Sequence, residues 1–61
     1  MSVKEISQII AFEIMNEYDQ DEQISDDTLE KEAYMAVADL KADIKEETIA
    51  ILKGHGYEVE E

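Results

Sequence analysis

Val3, Ile6, Ile10 and Ile14 recur every three to four residues, which is the spacing of one face of an α-helix. Ser2 and Glu5 stand just ahead of that stripe as an S-x-x-E capping box, in which each side chain satisfies a free N–H of the other residue. The pattern predicts a first helix over about 3–18, closing at Tyr18. A polar, acidic connection over 19–25 follows. Leu29, Ala33, Val37, Leu40, Ile44, Thr48 and Ile51 then keep a 4-4-3-4-4-3 spacing, which predicts a second helix over about 26–53. Ser25 is its expected N-cap, with Ile24 and Leu29 as a hydrophobic staple; Asp27 with Glu30 is the alternative cap. Asp26 and Asp27 suit the positive end of the helix dipole. Lys53 and Gly54 supply the stop signals. At about 1.5 Å per residue the helices would measure about 24 Å and about 40 Å. A break near Lys45-Glu46-Glu47 is open to the chain, but no Pro or Gly demands one.

The tail over 54–61 alternates apolar and acidic residues, as a short strand would. A lone strand needs a partner, so three fates stay open: disorder, pairing with a symmetry mate, or addition to the sheet edge of another protein.

The first helix is apolar on more than one side. At 100° per residue, Phe12 and Met15 point away from Val3, Ile6, Ile10 and Ile14, with Ile9 and Ala11 on the flanks. One companion helix cannot cover both sides. Either a third element such as the tail covers the second face, or a hetero-partner docks there, or the chain self-associates through Ile9, Phe12 and Met15. The expected fold is an all-α two-helix hairpin, short helix then long, pairing into a homodimeric four-helix bundle. Pairing would also relieve the small core of a 61-residue chain.

Composition narrows the chemistry. Sixty-one residues make a single domain, and no Cys is present, so disulfides and thiolate chemistry are excluded. An apolar content of 44% argues for a folded chain despite the high charge. The N-terminus lacks the basic start and apolar stretch of a secretion signal, and no apolar run reaches membrane-spanning length. A cytoplasmic location is the expectation.

Charge is the strongest functional signal. Seventeen Asp and Glu face five Lys and no Arg, for a net charge of −12. The phosphate-binding term that drives nucleic-acid affinity is missing, and anionic membrane is repelled. A basic protein surface is the attractive partner, in particular that of a nucleic-acid-binding protein. The expected contact face is Glu22, Asp26 and Asp27 around the second helix start, with Glu32, Asp39, Asp43 and Glu46 along one side of that helix. Twelve excess charges over about 40 Å give about one per 3.3 Å, against about one per 1.7 Å of duplex DNA; a dimer of similar length would match the duplex. In composition the chain resembles the small acidic DNA-mimic inhibitors made by phages. In length and hairpin architecture it resembles the plasmid-encoded Rop bundle, although the acidic face here argues against RNA binding.

Other chemistry is weaker. Asp19, Asp21, Gln23, Ser25, Asp27 and Glu30 fall at the ligand positions of a twelve-residue calcium loop, but the sixth position, which needs Gly, is Ile24. An acidic linker followed by an N-cap explains the same residues. His55, flanked by glycines, reads as an exposed residue in a helix-terminating turn, and a lone His builds no zinc site. Carboxylates are plentiful, but catalysis needs a partly dry pocket, for which a two-helix chain has little material. The sequence therefore points to a non-catalytic acidic interaction module, without cofactor or metal. A structural homodimer module and a weak calcium-binding helix-loop-helix are the alternatives.

Overall fold

A computed structural model describes residues 2–33 and 41–60, without the side chains of 33 and 41. The described residues are mostly helical, in the order α1 (Val3–Glu17), β1 (Gln23–Ile24), α2 (Asp26–Ala33), α3 (Lys41–Gly54) and β2 (Glu58–Val59). α1 begins as its residues dictate. The Glu5 N–H donates to Ser2 Oγ at 3.2 Å, and the Ser2 N–H donates back to Glu5 Oε1 at 3.2 Å. α2 is capped by Ser25, whose Oγ accepts the Thr28 N–H at 3.2 Å, and the staple residues Ile24 and Leu29 are both buried.

The long second helix is not made. Asp26 and Lys45 would lie about 28 Å apart along one continuous helix. Their side chains meet at 3.4 Å. α2 and α3 are therefore separate helices packed against each other, and the longest dimension of the fold is 31 Å. Residues 34–40, with Val37 and Leu40 of the expected stripe, lie outside the described residues. The physical reason is coverage. α1 is 15 residues long, about 22 Å, so a 40 Å rod would overhang it and leave much of its stripe in water. Folding back carries Leu29 into the same core as Ile10, Ala11, Ile14, Ile44 and Leu52.

Against α3, α1 presents a slightly different face from the isoleucine stripe. Ser7, Ile10, Ala11 and Ile14 are buried, while Val3 and Ile6 are only partly so. Small residues stand at 7 and 11, and Ser7 Oγ donates across the interface to the Ile44 carbonyl at 3.2 Å. Thr48 Oγ1 donates to the same carbonyl at 2.6 Å, so both buried hydroxyls are satisfied. In α3 the buried line is Ile44, Thr48 and Leu52, with Ile51 at its margin.

The end of α3 uses the second glycine, not the first. Gly54 is still helical; Gly56 takes φ +94°, in the left-handed region. The Tyr57 N–H bonds the Leu52 carbonyl at 3.0 Å and the Gly56 N–H bonds the Lys53 carbonyl at 3.1 Å, the two bonds of a Schellman motif. That turn aims the tail back at the connection after α1. Glu58 and Val59 then pair in parallel with Gln23 and Ile24, and the Glu60 N–H reaches the Ile24 carbonyl at 2.8 Å. The tail thus finds its partner strand within its own chain, inside the segment expected to be plain connection.

Tyr57 fixes this arrangement. Its ring is buried, and its hydroxyl donates to the Tyr18 carbonyl at 2.8 Å and lies 3.4 Å from the Met15 carbonyl. α1 ends without glycine or a basic residue in its last turn, and its Met15 carbonyl and the Tyr18 carbonyl of its cap are reached from 42 and 39 residues away. Gln20 Nε2 donates to the His55 carbonyl at 2.6 Å, tying the same two ends together.

Candidate interaction surface

Two surfaces follow from this fold, one anionic and one apolar. Every described Asp and Glu residue is at least partly exposed. The reason is elementary: a buried carboxylate without a partner is costly, and the chain has few cations with which to compensate it. The chain carries an excess of 12 negative charges, and the fold measures 31 × 19 × 16 Å.

The seven acidic positions singled out from sequence do not form one stripe. Glu22 is exposed in the turn before β1, where its N–H bonds the Asp19 carbonyl at 3.0 Å. Asp26 and Asp27 open α2, Asp26 partly buried and Asp27 exposed. Glu32 is half-buried near the end of α2, whereas Asp43 and Glu46 are exposed on α3. The expected single side of one long helix is therefore divided between two helices. Asp39 lies outside the described residues.

The fold does bring some of them together. Asp26 and Glu46 border a shallow hollow with Ala42, Lys45 and Ile49. Asp26 and Asp27 border a smaller one with Ser25 and Glu60. Lys45 reaches from α3 to Asp26 at 3.4 Å and to Glu30 at 3.6 Å, and so bridges α3 to α2. Asp26 Oδ1 is enclosed and accepts no hydrogen bond; the Lys45 ammonium is what compensates it. Asp26 is thereby partly neutralised within the molecule, while Asp27, Asp43 and Glu46 are exposed. Sequence reasoning missed Lys45 and Glu60. Nothing local marks Lys45, since its partners lie 19 and 15 residues away. Glu60 was signalled only by the alternation of the tail.

At α1 the Ser2 backbone N–H, and after it the Ser2 hydroxyl, hold the Glu5 carboxylate below the usual glutamate range. This is a capping effect at an exposed helix end.

The calcium loop is not assembled. Gln23 and Ile24 are spent on the strand and core, and Ser25 Oγ caps α2. Among the described residues, no group of three or more His, Asp or Glu side chains is placed to hold a metal ion. His55 is exposed in the turn that ends α3. Among the described residues, no helix is long and apolar enough to cross a membrane.

The apolar surface is on the outside of α1. Phe12 is 57% exposed and Ile9 47%, and they are the exposed large apolar side chains among the described residues. Met15, grouped with them from sequence, packs partly against the core instead. The tail docks at the last turn of α1 and leaves Ile9 and Phe12 uncovered. No known protein family, curated protein or solved structure matches this chain.

Proposed function

We propose that the protein is a non-catalytic acidic interaction module that binds a basic, nucleic-acid-binding surface of a partner protein, in the manner of a DNA-mimic inhibitor. One observation carries this reading: the carboxylates coat a compact body at high density. Dividing the 31 Å length by the 12 excess charges gives about 2.6 Å per charge. The folded monomer thus approaches the roughly 1.7 Å spacing of duplex DNA more closely than an extended hairpin would. A basic groove built for phosphates meets a comparable linear charge here, and long-range attraction speeds the encounter.

The test is kinetic. Capture from host lysate at low and high salt identifies the partner, and association is then followed at several salt concentrations. Asp43→Lys and Asp39→Lys are expected to slow association more than they speed dissociation. A partner affinity that does not change with salt removes the proposal.

A second reading is favoured by the exposure of Phe12 and Ile9. In it the chain is a structural homodimer, a four-helix bundle closed over that face, and the charge serves solubility. Phe12→Asp would then halve the mass in solution, while charge reversals would change little.

A further inference from the structure

The uncovered face of α1 has a specific composition. Ile9 and Phe12 are one turn apart on it. Around them, one turn before and after, stand Glu5, Gln8, Glu13 and Asn16, all exposed. The one lysine of α1, Lys4, lies off its edge, about 80° round the helix from Phe12 and about 140° from Ile9. The face is thus an apolar pair framed by two carboxylates and two amides, without a cation from its own helix.

We infer that this face, and not the acidic groups of α2 and α3 alone, anchors the partner, and that the partner offers an apolar cleft bordered by Lys or Arg. The inference rests on the acidic-module reading above and adds the surface and the recognition chemistry. Two physical arguments choose this occupant over a second copy of the chain. The first is area. The exposed parts of Ile9 and Phe12 sum to on the order of 200 Å². A stable interface buries roughly 800 Å² on each side, so this pair cannot close a dimer unaided. It has the size of a central anchor, a single aromatic and its neighbour seated in a larger protein's pocket. The second is charge. A second copy would bring two more carboxylates, Glu5 and Glu13 again, to the same small patch, and no cation from α1. Each copy also carries −12. A cleft rimmed with Lys or Arg answers both the apolar pair and the carboxylates beside it. An amphipathic helix laid in such a groove is a familiar mode of recognition, with anchors one turn apart.

The experiment uses the full chain and two synthetic probes of equal positive charge. One is a helical peptide of leucine and lysine in amphipathic register, and the other is an oligolysine without apolar residues. Binding is measured by titration at low and moderate salt, for the wild type, Phe12→Ala and Ile9→Ala, with circular dichroism as a check on folding. Both side chains are exposed, so neither variant is expected to unfold. The amphipathic peptide should bind at least about tenfold more tightly than oligolysine, and Phe12→Ala should erase that difference while leaving oligolysine binding unchanged. Equal, salt-sensitive binding of both probes would overturn the anchor and leave the acidic module standing. Failure of both probes to bind even at low salt would overturn the module as well. A doubled mass of the free protein that Phe12→Ala returns to monomer would assign the face to a second copy and overturn the inference.

Discussion

Replacing Tyr57 tests whether the tail is part of the fold or an appendage. In Tyr57→Phe the ring stays and the hydroxyl goes. The Tyr18 carbonyl then loses a bond of 2.8 Å. Tyr18 is only partly buried, so water can replace the lost donor, and the net cost is about 1 kcal/mol. For a domain of this size that lowers the melting temperature by about 4–8 °C. In Tyr57→Ala the buried ring goes as well, at a cost of about 3–5 kcal/mol. A folded chain of 61 residues has a total stability of roughly 3–9 kcal/mol. Tyr57→Ala should therefore remove at least about a third of the protein's stability. The assay is thermal and urea unfolding followed by circular dichroism, with hydrogen exchange at the last turn of α1 as the local reading. Faster exchange there in Tyr57→Phe, without global unfolding, marks loss of the long-range cap. An unchanged midpoint for Tyr57→Ala would refute the reasoning, because it would mean that residues 57–60 contribute nothing to the core.

Gly56→Ala should cost about 1–2 kcal/mol by urea denaturation; the left-handed φ of +94° is the cause, since the added Cβ would meet only the Gln20 side chain at 3.7 Å, an ordinary contact. Lys45→Gln should destabilise by up to about 1 kcal/mol at low salt and less at high salt, as the bridge from α3 to Asp26 and Glu30 is partly solvated. Ser2→Ala should cost about 1 kcal/mol through the lost cap and raise the Glu5 titration midpoint seen by NMR. Because folding lowers the pKa of Glu5, its contribution is present above the unfolded glutamate value and fades as pH falls through the folded one; Glu5→Gln should remove that part of the pH dependence.

What could be read from the chain was local. Ser2 with Glu5, and Ser25 with Ile24 and Leu29, mark helix starts because capping acts within a few residues, and both caps are where the pattern puts them. The helical periodicity was legible too, but a stripe in register through residues 29–51 is the same for one rod and for two helices folded together. Only the need to cover α1 decides between them, and that need belongs to the whole chain. The tail was illegible for a related reason. Its alternation announced a strand, yet the partner, Gln23–Ile24, is two residues long inside a polar segment and carries no strand signal of its own. Likewise Ser7 reads as a polar residue beside a stripe of isoleucines. Its burial follows from the Ile44 carbonyl it reaches across the helix interface. Of the acidic surface, charge and exposure could be read from composition; the grouping of Asp26 with Glu46, and of Asp27 with Glu60, needed the fold-back and the tail.

The charge proposed to attract a cationic partner also works against the protein's own fold, and this gives a prediction with opposite signs in two assays. At 0.01 M salt the Debye length is about 30 Å, so the carboxylates act on one another across a body 31 Å long. At 1 M it is about 3 Å, and only near neighbours interact. Self-repulsion is worst in the compact state, so the melting temperature of the free protein should rise from low to moderate salt. It should level off once the screening length falls below the spacing between charges. The Lys45 bridge opposes this trend, but it is one cation between two carboxylates against an excess of 12. Over the same range the complex with a basic partner should weaken, because the attraction that forms it is screened as well. A cationic partner should therefore stabilise the fold most at the salt concentrations where the free fold is weakest. If added salt lowers the melting temperature of the free protein, attractive pairs dominate its surface, and the dense anionic coat is not the property that governs its binding.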